Sequence, residues 1–76
     1  MEIKSIKQGI YRHYKGNFYL VLGVAHHSES QEPLVVYMAL YESEYGKNAL
    51  WVRPYKMFIE EVEFEGKKLP RFEFIK

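Results

Sequence analysis

IYRHYKGNFYLVLGVAH, residues 10–26, is the stretch that decides the fold. Ile10 to Lys15 reads as a strand, Gly16-Asn17 supplies the positive φ values of a tight turn, and Phe18 to His26 runs back as a second strand. Phe18, Leu20, Leu22, Val24 and His26 alternate with Tyr19, Val21, Gly23, Ala25 and His27, so both faces of the second strand are largely apolar. Such a strand sits centrally in a sheet or bends strongly. Gly23 in its middle predicts the bend, because a residue without a side chain is where a sheet tolerates a bulge.

Working outward, His27 to Pro33 is polar, ends in proline and reads as a loop. Leu34 to Tyr41 gives a third strand, Glu42 to Asn48 a second polar loop, and Ala49 to Arg53 a short fourth strand that Pro54 must end. Tyr55 to Glu61 predicts a helical turn, and Val62, Phe64 and the Gly66 turn open a last strand pair reaching Leu69 to Ile75. The expected fold class is all-β: a small five-stranded, partly open antiparallel barrel, SH3-like, with one short helical turn. An antiparallel sheet with one helix packed on it is the alternative. Residues 1–8 read as an N-terminal arm and 9–76 as the single domain.

Seventy-six residues hold one core and leave no room for separate substrate and cofactor modules. The chain is 47% hydrophobic and 17% aromatic, far from a disordered composition, and its seven tyrosines have apolar bodies with polar tips suited to rims and recognition surfaces. With no cysteine there is no disulfide, thiolate nucleophile or Cys-based zinc site, and a cytoplasmic location is expected. The start, MEIKSIKQG, has no leader-like apolar run, and no stretch approaches the roughly 20 apolar residues of a membrane span. No membrane partner is implied.

The net charge is +1, so no global field recruits nucleic acid. Charge comes in blocks: Lys4, Lys7, Arg12 and Lys15 precede a stretch from 18 to 46 that has four glutamates and no Lys or Arg. Aromatic residues among Arg and Lys suit stacking on single strands, but the acidic middle repels phosphates, which makes nucleic acid a weakly supported partner. No Walker loop and no Gly-x-Gly-x-x-Gly occurs, and no cofactor is implied.

Three clusters carry possible chemistry. His26, His27, Ser28, Glu29 and Glu32 concentrate acids and bases, but adjacent histidines on a strand face opposite ways and no activated nucleophile accompanies them. Capping of the loop by Ser28 and Glu29 is their plainer reading, ligand contact by His26, Ser28 and Glu29 the functional one. Arg12 and Tyr14 share one face before the tight turn and suit an anionic or ring-bearing ligand; buried rings with solubilising cations are the alternative. Trp51 and Arg53 also share a face, where an indole platform and a guanidinium clamp are geometrically available.

The blocks YRHYKGN (11–17), VLGVAHHSE (21–29), EPLVVY (32–37), LWVRP (50–54), MF (57–58) and PRF (70–72) give the chain a resemblance to a family of short bacterial proteins. That family is catalogued as a domain of unknown function, number sixteen fifty-three. The likeness runs from about Gly9 to Ile75 and implies a bacterial origin and a small stand-alone domain, with no activity or site residue to carry over.

These observations order three expectations. The first is a non-catalytic binding module whose aromatic and arginine face, centred on Arg12, Tyr14, Tyr37, Trp51 and Arg53, takes a peptide, a protein or a small anionic ligand. The second is an assembly subunit that pairs through a strand edge. The third is a minimal hydrolase built on His26, Ser28, Glu29 and Glu32.

Overall fold

Five strands form one antiparallel sheet in the computed structural model, which describes residues 5–76. They are β1 (Gly9–His13), β2 (Phe18–His26), β3 (Pro33–Ala39), β6 (Leu50–Pro54) and β9 (Phe72–Phe74), in the order β6-β3-β2-β1-β9. Between β3 and β6 lies a small hairpin, β4 (Glu42–Ser43) and β5 (Gly46–Lys47). After β6 come the helical turn α1 (Tyr55–Ile59) and a second hairpin, β7 (Glu61–Phe64) and β8 (Lys67–Pro70).

The first hairpin forms as its sequence predicts, with Arg12 opposite Phe18 and Gly9 opposite Val21. β1 stops at His13, two residues early, because the Tyr14 N–H turns aside to the Arg71 carbonyl (3.0 Å) and the Lys15 N–H to Nδ1 of His13 (3.1 Å). At Gly23 the expected irregularity is present: Val21 pairs with Tyr37 and Gly23 with Val36, so the extra residue Leu22 makes a bulge. Gly23 holds φ 152°, a conformation open to glycine and strained for other residues. The bulge also resets the alternation of β2. Val24 lies opposite the buried Val35 and joins the core side, while Leu20 and Gly23 turn outward with Met38 and Val36.

The core side carries Tyr11, Val21, Val35, Tyr37, Phe58 and Phe72, with Ile6, Tyr19, Tyr55 and Phe74 packed around them. It is an interior built on rings. Phe58 of α1 is about 1% exposed and stacks on Phe72 with ring centroids 4.0 Å apart and planes 6° from parallel. Tyr11 and Tyr37 meet Phe58 at 5.7 and 5.4 Å, the edge-on and tilted contacts that aromatic quadrupoles favour.

One expectation needs correction. The last strand pair forms as the hairpin β7–β8, but its second strand, read as reaching Ile75, is cut in two, because Pro70 ends β8 and Arg71 breaks the run by donating its N–H to the Glu60 carbonyl. Only Phe72–Phe74 returns to the sheet, beside β1. The five strands form an antiparallel sheet as expected, with no closed barrel: among the described residues β6 pairs with β3 alone and β9 with β1 alone, so the sheet keeps two edges. Of the arm read over 1–8, residues 1–4 lie outside the described residues. In residues 5–8, the Ser5 and Lys7 carbonyls accept from the hydroxyls of Tyr55 (3.2 Å) and Tyr11 (2.7 Å).

Candidate functional site

The concave side of the sheet places Tyr19 of β2, Tyr37 of β3, and Trp51 and Arg53 of β6 around one cavity, with Tyr41 closing it from the connection after β3. The register explains the convergence: Trp51 pairs with Tyr37 and Tyr19 with Ala39, residues buried on the core side. Cross-strand partners share a face, so Trp51 and Tyr19 point the same way. The cavity holds about 190 Å³.

Its polar atoms present donors. Arg53 donates from Nε to the Tyr37 hydroxyl (3.3 Å) and lies over the Phe72 ring, its guanidinium carbon 5.7 Å from the centroid. No carboxylate among the described residues pairs with that guanidinium, whereas Arg71 bonds Oε1 of Glu60 at 2.6 Å. Because the Tyr37 oxygen accepts from Arg53, its own hydrogen is left for another acceptor. The hydroxyls of Tyr19 and Tyr41 are 2.7 Å apart. Burial first, and then that hydrogen bond, hold the Tyr19 hydroxyl well above the ordinary tyrosine range, with the Asn17 side chain bonding it in the opposite sense. Either phenol can donate to the other, so the pair uses one hydrogen between its two oxygens and keeps the second for another acceptor. Three other surface cavities each include a glutamate, Glu73, Glu42 or Glu32; the lining of this one includes no acid.

Beside the cavity sits His13, edge-on to Phe72 (4.9 Å) and Tyr19 (6.4 Å). Burial first, then the charges of Arg53, Arg71 and Lys15, lower its pKa below the usual imidazole value. Its Nδ1 accepts the Lys15 N–H, so the neutral ring carries its proton on Nε2.

Of the eight site residues singled out from the sequence, three converge here: Tyr37, Trp51 and Arg53. Arg12 and Tyr14 instead line a smaller cavity of about 150 Å³ with Leu69, Pro70 and Glu73. Tyr14 packs edge-on against Phe64 at 5.4 Å. His26, Ser28 and Glu29 are exposed at the far end of β2 and its loop. There the turn is capped by His27, whose Nδ1 accepts the N–H groups of Glu29 (3.1 Å) and Ser30 (3.4 Å), and by Ser30, whose hydroxyl accepts from Glu32 (3.2 Å). Among the described residues no group of three or more His, Asp or Glu is placed to hold a metal. Sequence reasoning did not place Tyr19 and Tyr41 at the cavity, nor His13 and Phe72 beside it. Tyr19 was within reach, since it alternates in phase with Val21; Tyr41 arrives through the connection after β3 and Phe72 through the pairing of β9 with β1, neither of which residue spacing encodes.

Comparison with known proteins adds identity without activity. The sequence profile of the family described as "Protein of unknown function (DUF1653)" matches residues 9–74. A crystal structure of a protein belonging to DUF1653, from Bordetella bronchiseptica, superposes with a TM-score of 0.82 at 37% sequence identity, covering 92% of this chain and 87% of that one. No curated protein matches the chain. The chain belongs to the DUF1653 family.

Proposed function

We propose that this DUF1653 domain is a non-catalytic binding module whose concave face takes a small anionic ligand with a flat, apolar body. One observation carries the reading: Arg53, the Tyr37 hydroxyl and one hydroxyl of the Tyr19–Tyr41 pair offer hydrogens into a ring-walled cavity whose lining includes no carboxylate. A guanidinium fork and two phenols select an acceptor-rich group such as a carboxylate. The walls of Tyr19, Tyr37, Tyr41 and Trp51 favour a planar remainder, by stacking and by burial of apolar surface.

The sheet on which the cleft rests is, in this reading, a partly open barrel of the SH3-like kind. Support comes from the reach of Arg53, on one edge strand, over the ring of Phe72, on the other. The absence of cysteine supports a reducing, cytoplasmic setting.

The test titrates the protein with benzoate, acetate and inorganic phosphate while following the fluorescence of Trp51. Saturable change with benzoate, weaker response to acetate, and loss of both in Arg53→Gln are expected. Absence of a saturable response to any of the three would count against the reading.

A further inference from the structure

The two edges of the main sheet are built differently. β9 is three residues long, carries Glu73 at its centre, follows directly on Arg71 and is separated from Lys76 by Ile75, with Glu73 and Arg71 the kind of charge by which natural sheets discourage pairing. β6 presents Leu50 and Val52, 64% and 58% exposed, with no charge on that outward side. Both stand in register with the half-buried outer-face residues Met38 and Val36, so the apolar outer face runs to the edge and stops there.

The backbone of this edge is also ready. Ala39 donates its N–H to the Ala49 carbonyl at 2.9 Å, and in an antiparallel ladder bonded pairs recur at every second residue. Trp51 and Arg53, opposite Tyr37 and Val35, therefore turn their N–H and C=O groups inward to β3. Leu50, Val52 and Pro54 turn theirs off the sheet. Pro54 occupies a position whose N–H would point into solvent, the place in a strand where proline forfeits no ladder bond.

We propose that this edge is a dimerisation surface, to which a second copy of the chain adds its own β6 antiparallel about a two-fold axis through Val52. In that register Val52 faces the partner's Val52, and its N–H and C=O exchange bonds with the same groups there. The Leu50 N–H meets the C=O of the partner's Pro54, and Trp51 lies opposite the partner's Arg53. The strand is self-complementary. Its one charged residue stands opposite a tryptophan rather than its own copy, its proline is asked only to accept, and the outer-face strips of Leu50 and Val52 abut across the axis. A foreign extended peptide could use the same backbone groups, but it would lack this built-in match of Trp with Arg and Val with Val.

Sedimentation and light scattering between about 10 μM and 1 mM span the affinities of a short edge contact. The expected mass rises with concentration from 9.1 kDa towards twice that value. Val52→Lys sets like charges together at the axis on an exposed side chain, and is expected to keep the far-ultraviolet spectrum while remaining at 9.1 kDa. A second readout does not depend on that variant: the amide hydrogens of Leu50 and Val52 exchange freely in dilute protein and become protected as concentration rises. A monomer at 1 mM, a dimer whose Leu50 and Val52 amides stay unprotected, or a dimer unaffected by Val52→Lys overturns the proposal. Protection of those amides only on adding an extended peptide assigns the edge to a foreign strand instead.

Discussion

Phe58 and Phe72 stack face to face at 4.0 Å, joining the helical turn to the last strand of the sheet. Their contact closes the interior from below, and Phe72 continues upward to the cleft, where Arg53 lies over its ring. The core and the candidate site therefore share a residue. Truncation of Phe58 tests the first, and substitutions at Arg53 test the second.

Phe58→Ala removes a side chain about 1% exposed and leaves a cavity among rings that are held by one another. The expected loss is about 3–5 kcal/mol. A chain of this length has about 4–11 kcal/mol in total. Urea denaturation should show a large fall in midpoint, with Phe58→Leu intermediate.

The glycines of the main sheet are expected to separate by mechanism. Gly23→Ala has room, since the nearest atom to a new Cβ is Nε2 of Gln8 at 3.9 Å, but forces a φ of 152° on a residue that resists it. A loss of about 1–3 kcal/mol is expected from backbone strain. Gly9→Ala adds a clash, its Cβ falling 2.7 Å from the Lys76 carbonyl and 2.9 Å from the Phe74 ring, and should cost more. Midpoints that reverse this order would contradict the bulge assignment.

Arg53→Lys keeps the charge and loses the planar fork that Tyr37 holds through Nε. Binding of benzoate should weaken by about tenfold or more while unfolding midpoints change little. Tyr37→Phe frees the guanidinium without removing it, so its effect on binding should be smaller than that of Arg53→Gln. Equal affinities for wild type and Arg53→Lys would show that charge alone, without geometry, accounts for the site.

His13 gives the fold a pH dependence of defined sign. Its folded pKa lies below the unfolded value, through burial and neighbouring cations, so the unfolded chain takes up the proton first as pH falls. The stabilisation is complete above the unfolded value of about 6.5 and is lost as pH drops from there towards the folded pKa. His13→Gln should therefore show a shallower decline in stability than wild type across pH 7.5 to 5, measured by denaturation at each pH. A steeper decline in the variant would reverse the sign.

Much of the sheet is legible in residues 10–26, because Gly16-Asn17 dictates a turn, alternation dictates a strand, and Gly23 marks the bulge. The helical turn after Pro54 is legible for a similar local reason. The fate of residues 61–75 is not, because Pro70 and Arg71 divide one apolar pattern between a free hairpin and a sheet strand, and only tertiary pairing decides which half goes where. The site divides the same way. Trp51 and Arg53 share a face by spacing alone, whereas Arg12 and Tyr14, expected on that face, lie at another cavity, because Arg12 alternates with the buried Tyr11 and Tyr14 lies past the end of β1, bonded to Arg71. The polar cluster from His26 to Glu32 looks chemical in sequence because loop caps use the same side chains as active sites.

The measurement closest to the central claim is a nitrogen–proton spectrum of the folded protein that resolves the Arg53 Nε–H, recorded during titration with benzoate. A saturable shift of that signal, accompanied by the Trp51 indole and the amides of Tyr19 and Tyr37, is the predicted result. Shifts that leave Arg53 and Trp51 unmoved while gathering around Arg12, Tyr14 and Glu73 would contradict the account and move the binding face to the opposite side of the sheet.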